Sequence, residues 1–202
     1  MKNGKVIWSV CIFVLLLAFV FTSVGAISPG QGEKPPTELA LAKYQAAQGN
    51  ADLSDEEKIN AAIEAYFTLR YEGQKLLAAQ DFSSVVDDKT LDWVKQEQDK
   101  REIEIYIASL YNTPYKSYSY TLDYDAVDIG KEKASVQLRE SNEIITLPDL
   151  VTSKMGNLQH TFTLHNKKGA WVIYKDEYED ELSLGLKRQT KADLLKQVDE
   201  NY

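Results

Sequence analysis

His160 is the residue of this chain whose type is best suited to acid–base chemistry. It alternates with Leu158, Phe162 and Leu164, and that period of two predicts a strand with the histidine on its apolar face. If this face lines a pocket, His160 could act as a general base, with Phe162 and Tyr120 as further lining candidates. The alternative is a hydrogen-bonded histidine at the rim of the core. The second interpretation is favoured, because no partner for the ring is evident in the sequence.

Tyrosines form a second candidate site. They are concentrated just before and within one predicted strand, at positions 111, 115, 118, 120 and 124. Strand alternation assigns part of this set to the core. The remainder, with Tyr115, Tyr118 and Tyr124 as candidates, could form an exposed aromatic patch that binds sugars or peptides. The core interpretation is favoured here too.

Two groups of carboxylates could suggest a metal. The run 176–181 could bind calcium, but it lacks the glycine-punctuated loop of a calcium motif, so a solvated acidic strand end is the favoured interpretation. Asp123, Asp125 and Asp128 lie where a strand leads into a turn, and aspartate is common there. The sequence contains no phosphate-binding loop, serine elbow or metal-type histidine pair. We therefore assign no catalytic residue, metal ligand or cofactor.

The first residues predict export. Lys2 and Lys5 precede a run, 6–24, that is apolar apart from two serines and a threonine, and small residues end it at Ala26. Residues 1–26 fit both a cleaved signal peptide and a retained membrane anchor, since the run approaches the roughly 20 residues that a spanning helix needs. In both cases the preceding lysines place the remainder outside the cytoplasm. Cys11 lies within the apolar run, not at its end, so lipid attachment is not indicated.

Composition narrows the function classes. The net charge is −8, and removal of residues 1–26 would take away two lysines and no acidic residue, leaving −10. Such a charge disfavours nucleic acid and anionic lipid as partners. No cysteine follows Cys11, which excludes a disulfide scaffold, a thiol nucleophile and cysteine metal ligands from the rest of the chain. The domain must therefore be stabilised by its core, for which it is long enough.

The remaining elements would position these residues. A proline- and glycine-containing spacer, 27–53, includes an alanine-rich piece that could be helical. The domain proper, 54–202, begins with a capping box at Ser54 and a helix to about Ala79. A second helix is predicted from about Asp88 to Tyr111, with a charged, solvated middle at 95–102.

Four antiparallel strands follow these helices, with a short final helix capped by Thr190. The strands are predicted at 115–129, from 134 towards 147, at 158–165 and at 170–176. The last strand is apolar on both faces, which is typical of a central strand or of one that wraps over a core edge. The fold class is therefore α+β, with two or three helices packed on a curved four-stranded antiparallel sheet behind an N-terminal hydrophobic helix.

This order of elements resembles the nuclear-transport-factor-two-like fold, also called the cystatin-like α+β cone. More narrowly, the segments 66–72, 99–104, 157–164 and 176–182 resemble the region that precedes the catalytic half in secreted Gram-positive amidase-domain proteins. The resemblance covers most of 54–193. It implies a hydrolase half with a cysteine nucleophile and a histidine after this region. No such cysteine is present, so no catalytic residue is carried over, and the chain is either a stand-alone relative or ends before the enzyme.

These observations support two expectations of function. The first is a non-catalytic binding domain outside the membrane, which positions a protein or cell-wall partner of an amidase or of envelope assembly. The second is a small-ligand binder or an isomerase- or dehydratase-type protein that uses His160. The second expectation requires a carboxylate within hydrogen-bonding reach of His160 in a closed cavity.

Overall fold

The computed structural model describes residues 34–201, so the predicted export segment, 1–26, lies outside the described residues. Three helices precede a four-stranded sheet and two short helices follow it. The elements are α1 (Pro36–Gly49), α2 (Asp55–Leu76), α3 (Asp92–Leu110), β1 (Tyr115–Ile129), β2 (Lys133–Thr146), β3 (Val151–Lys167), β4 (Ala170–Glu177), α4 (Glu181–Leu186) and α5 (Lys191–Asn201). The predicted α+β class is confirmed.

The sheet is an antiparallel meander in the order β1-β2-β3-β4. β1 begins and ends where its alternating pattern predicts. β3 begins at Val151, seven positions before the predicted start at Leu158. The added residues, 151–157, are exposed and pair with the end of β2. Because neither of their faces is buried, they carry no hydrophobic alternation from which a strand could be predicted.

Local hydrogen bonds determine where the helices begin. At the start of α2 the Ser54 hydroxyl accepts a hydrogen bond from the backbone amide of Glu57, whose carboxylate accepts from the Ser54 amide at 2.8 Å. α3 begins at Asp92, later than predicted, because the Asp88 carboxylate accepts from the amide of Thr90 at 2.8 Å and holds a turn there. Part of the predicted spacer, 36–49, is α1 and packs on α2, with Tyr44 buried.

β4 is an edge strand, although both of its faces are rich in apolar residues. Its outer edge is covered by the segment 82–87: the amide of Ile173 donates to the carbonyl of Val85 at 2.9 Å, and the amide of Asp87 donates back to Ile173 at 2.7 Å. The hydroxyl of Tyr44 adds a bond to the carbonyl of Trp171 at 3.1 Å. These contacts bury Trp171 and Ile173 completely, which explains the apolar pattern without a central position.

One face of the sheet packs on α2, and the space between them is filled in two ways. Around the first half of α2 the filling is apolar, with Ile59, Ile63, Val136, Leu164 and Trp171 fully buried. Around its second half the filling includes charged and polar side chains. Within residues 34–201, no helix has the length and apolar character needed to cross a membrane.

Candidate functional site

His160 lies on β3 between two carboxylates. Its Nδ1 is 2.9 Å from Oδ1 of Asp176 on β4, and its Nε2 is 3.1 Å from Oε2 of Glu140 on β2. The three residues belong to adjacent strands of one sheet face, and the histidine is completely buried. The carboxylate that the second expectation of function requires near His160 is therefore present, and each ring nitrogen has one.

This geometry fixes the protonation of the ring. A neutral imidazole has one N–H and one lone pair, and the lone pair would face a carboxylate oxygen that can only accept. Two accepting carboxylates are satisfied together only by the imidazolium, which has two N–H groups. Burial acts against the charge, but Asp176 and the hydrogen bonds to Asp176 and Glu140 outweigh it and raise the pKa of His160.

Both carboxylates accept further hydrogen bonds. The Tyr66 hydroxyl donates to Oδ2 of Asp176 at 3.2 Å, and the Tyr71 hydroxyl donates to Oε1 of Glu140. Burial alone would raise the pKa of Glu140, but Arg70 and the bonds from His160 and Tyr71 lower it to about 2. The ionised form of Glu140, which accepts from one side of the imidazolium, is therefore supported from the far side as well.

Arg70, on the inner face of α2, lies between this group and α3. Its Nη1 is 3.7 Å from Oε2 of Glu140, and its Nε is 3.2 Å from Oε1 of Glu97. Its guanidinium lies 5.1 Å from the ring centroids of Phe67 and Tyr178. Nε and Nη1 make no hydrogen bond of normal geometry to any described residue. Arg70 is therefore held by ion pairs and aromatic rings at 6% exposure.

The middle of α3 extends the charged group inward, so the predicted solvated middle at 95–102 is wrong for its inner face, although Lys95 and Gln98 are exposed. Glu97, Lys100 and Arg101 are buried, at 5%, 1% and 8% exposure. The Nε of Arg101 is 2.8 Å from Glu97 one helical turn earlier, and Lys100 pairs with Asp180 after β4. Burial would raise the pKa of Glu97, but Arg101 and Arg70 lower it to about 2.

Tyr178 joins the two parts of the group. Its ring stacks on His160 at 4.6 Å, and its hydroxyl donates to Glu97 while accepting from Nζ of Lys100 at 2.7 Å. The favoured interpretation of 176–181 as a solvated strand end is therefore wrong for two of its acids. Asp176 is buried beside His160, and Asp180 both pairs with Lys100 and caps α4 through the amide of Ser183 at 2.8 Å.

These contacts define what we call the buried charge network. Four cationic side chains face five carboxylates in it: Arg70, Lys100, Arg101 and His160 against Glu97, Glu104, Glu140, Asp176 and Asp180. Each cation lies within 4 Å of at least one carboxylate, and such pairing is the condition under which ions can be buried. Within residues 34–201, no group of three or more histidine, cysteine, aspartate or glutamate side chains has a metal-binding arrangement.

One side of the network borders a cleft of about 220 Å³ between α2, α3 and the sheet. Arg70 and Arg101 line its helical wall, and Glu140 lies on the sheet side. Tyr115, Ile144 and Leu158 supply apolar surface. His160 is not among the lining residues, since Glu140 stands between its ring and the cleft. The cleft can therefore bind a molecule of mixed polarity, but its lining does not offer an imidazole to that molecule.

The other predicted site residues lie in three places. Phe162 is fully buried beside His160, with ring centroids 5.6 Å apart. Tyr118 and Tyr120 lie side by side on β1, with ring centroids 6.4 Å apart, and both stack on Tyr71, at 5.0 and 5.1 Å. The two rings border an apolar groove of about 280 Å³ between α1 and β1.

Tyr115 lines the cleft, whereas Tyr124 lies further along β1 and is 36% exposed. The three candidates for a patch, Tyr115, Tyr118 and Tyr124, are therefore divided between the cleft, the stacked core and the surface.

Sequence reasoning missed Arg70, Glu97, Lys100 and Arg101. A signal was present for Arg70, because it follows Ile59, Ile63, Tyr66 and Phe67 on the buried face of α2 at helical spacing. No comparable signal marks Glu97 and Arg101, since a charged i,i+4 pair on a helix is ordinary on a solvated face.

No family model and no curated protein matches the chain. Among solved structures, the chain is similar to the crystal structure of the intermembrane space region of the chloroplast protein ARC6. The similarity covers 72% of this chain and 97% of that one, at 16% identity and a TM-score of 0.31. A similarity of this size carries no argument about function.

Proposed function

We propose that this chain is a non-catalytic binding domain that works outside the cytoplasm and holds a protein or cell-wall partner in the cleft between α2, α3 and the sheet. Its location is supported by the export signal predicted at 1–26. The partner class, an amidase or a component of envelope assembly, is supported by the resemblance of 54–193 to the region before an amidase half.

The observation that carries the proposal is the geometry of His160. Both ring nitrogens are engaged by carboxylates, so the protonated ring has no lone pair with which to take a proton from a substrate. The ring is fully buried and does not line the cleft. In this setting His160 serves as a charged link between β2, β3 and β4, and it fixes the wall from which the cleft is formed.

The cleft has the mixture of surfaces that recognition uses. Apolar side chains, among them Tyr115, Ile144 and Leu158, would supply most of the binding free energy by burial. Asn142 and Gln74 would supply directed hydrogen bonds. Because Arg70 and Arg101 are balanced by Glu104 and Glu140 in the same lining, we expect a partner group that is uncharged and rich in hydrogen-bond acceptors.

One observation favours the second candidate, a small-ligand or isomerase-type pocket. The carboxylate that it requires lies within reach of His160. The candidate would nevertheless need His160 to lose a proton that Asp176 and Glu140 hold, and to reach the cleft past Glu140. A His160→Ala variant that lost all affinity for a small ligand while remaining folded would favour it over the partner-binding function.

The proposed function is tested by capture from the envelope fraction of the native host. The bait is the full chain with a C-terminal tag, as wild type and as the Ile144→Lys variant, which places a charge in the cleft wall. The matched control is Ile129→Lys, an identical change at an exposed strand end outside the lining.

We expect wild type and Ile129→Lys to retain the same specific partner at equal yield. Ile144→Lys should lose at least ninety per cent of that partner, a tenfold effect that corresponds to about 1.4 kcal/mol of binding free energy. Equal capture by all three baits, with circular dichroism showing all three folded, would overturn the cleft as the binding site.

A further inference from the structure

β3 is paired on both sides over only its second half. Its register with β2 extends from Val151 to His165, whereas its register with β4 covers only Thr161 to Lys167. Among the strands of residues 34–201, none pairs with 151–160 on the side away from β2. This stretch, which we call the open half of β3, therefore presents backbone groups to the outside, next to the end of β4.

The open half of β3 lacks the charges that usually protect such an edge. β1, the other long edge, carries Lys116, Asp123, Asp125 and Asp128. The open half carries one exposed charge, Lys154, and Glu143 on β2 holds it at 2.6 Å. A register shift at 141 and a positive φ of 62° at Asn157 bend its far end, which leaves Val151–Met155 as the regular segment.

Apolar side chains are concentrated at the same end of the sheet. Four of the ten exposed large hydrophobic side chains in residues 34–201 lie there: Leu147, Leu150, Val151 and Met155. Leu150 and Val151 are 51% and 55% exposed. An open edge and an apolar patch at one place are together a mark of an interaction surface.

We propose that the open half of β3 pairs antiparallel with the open half of a second copy of this chain, about a two-fold axis at Ser153. The sequence suits a second copy as the occupant, because the pairing is self-complementary. Val151 then lies opposite the second copy's Met155, so that apolar side chains meet twice. Lys154 lies opposite the second copy's Thr152, so no like charges face each other.

The shape of the edge agrees with this pairing. β4 ends at Glu177, opposite Thr161, and no described strand pairs with 151–157 on this side, where every residue is exposed. The two four-stranded sheets would join into one of eight strands. Ser153, Lys154 and Met155 also line the cleft, so the second copy would form part of its outer wall. The inference does not depend on what the cleft binds.

Position-specific disulfide formation tests the pairing in the full chain, purified in detergent and carrying Cys11→Ser. In antiparallel strands, residues directly opposite each other have Cα atoms about 4.5–5.5 Å apart, which a disulfide can span. Ser153→Cys would therefore place a cysteine opposite its own copy. Ser135→Cys, an exposed serine of the interior strand β2, is the matched control.

After mild oxidation we expect most of the Ser153→Cys protein to migrate as a dimer without reductant, and the Ser135→Cys protein to remain monomeric. Adding Val151→Lys and Met155→Lys places lysines opposite each other and should reduce the Ser153→Cys dimer at least tenfold. Equal cross-linking at 153 and 135 would overturn the proposal. So would cross-linking at 153 that the two lysines leave unchanged, since another segment would then hold the copies together.

Discussion

The two halves of α2 are buried by opposite means. Ile59 and Ile63, in the first half, pack against apolar side chains of the sheet. Arg70 and Glu72, in the second half, are buried with ionic or hydroxyl partners, and Tyr118 donates to Glu72 at 2.7 Å. The first half would tolerate an apolar substitute of similar size, whereas the second depends on every partner being present. The charged half can therefore require one particular set of side chains without contributing more to the free energy of unfolding than the apolar half does.

The largest expected effect is that of Arg70→Met, which breaks the charged half. The substitution leaves Glu97 and Glu140 buried beside a neutral side chain, and we expect the free energy of unfolding to fall by about 3–5 kcal/mol. Urea unfolding at pH 7, followed by circular dichroism, measures the fall.

The matched change in the apolar half is Ile63→Ala, with a loss of about 2–5 kcal/mol. The two variants should differ in pH dependence. At pH 4 the loss from Arg70→Met should shrink, because the stranded carboxyl groups can then be protonated, while the loss from Ile63→Ala should not change. A loss of less than 1 kcal/mol for Arg70→Met would contradict the account.

The second prediction concerns the pH profile of stability. The folded pKa of Glu97 and Glu140 is about 2, below the ordinary 4.5, so each contributes stability that is present above pH 4.5 and lost as pH falls towards 2. Each contribution is about 3 kcal/mol. The folded pKa of His160 is raised above 6.5, so its contribution is present below 6.5 and lost as pH rises through the folded value.

Stability should therefore decline at both ends of the range, and unfolding free energies from pH 3 to pH 9 measure the decline. The His160→Phe variant should be less stable than wild type near pH 6, and the difference should narrow as pH rises. A difference that widened towards pH 9 would mean that folding lowers the pKa of His160, and it would contradict the prediction.

The third prediction is a smaller effect at the start of the apolar half. Ser54→Ala removes both the hydroxyl acceptor for the Glu57 amide and one partner of the Glu57 carboxylate. We expect a loss of about 1 kcal/mol in the same urea assay. Ser54→Asp, which retains a side-chain acceptor, should recover most of the loss, and failure to recover it would mean that the cap contributes little.

The smallest expected effect separates exposed ion pairs from buried ones. Asp125→Ala removes the partner of Arg139, whose Nε and Nη2 contact the carboxylate at 3.0 and 2.8 Å on the exposed face. This pair is bidentate, but water screens it, so we expect a loss below about 1 kcal/mol. Salt at 1 M should remove the effect of Asp125→Ala and leave most of the effect of Arg70→Met.

The sequence predicted the apolar half of this molecule better than the charged half, for a physical reason. Apolar burial leaves a periodic trace, and β1, the start of α2 and the Thr190 cap were all predictable from local patterns. Burial of Glu97, Lys100 and Arg101 leaves no such trace, because the Glu97–Arg101 pair has the spacing of an ordinary exposed helix pair and Lys100 is paired with Asp180, which is distant in sequence. The exposed first part of β3 was missed for the converse reason, since it packs on nothing that would impose alternation.

The most direct test of the central claim is a nitrogen-15 NMR measurement of the His160 ring in wild-type protein at pH 7. His165 is an internal reference, because burial and Lys133 lower its pKa. The account predicts that both ring nitrogens of His160 are protonated at pH 7, and that His160 stays so at pH values where His165 has become neutral. A neutral His160 ring at pH 7, with one unprotonated nitrogen, would contradict the account and return His160 to the role of a general base.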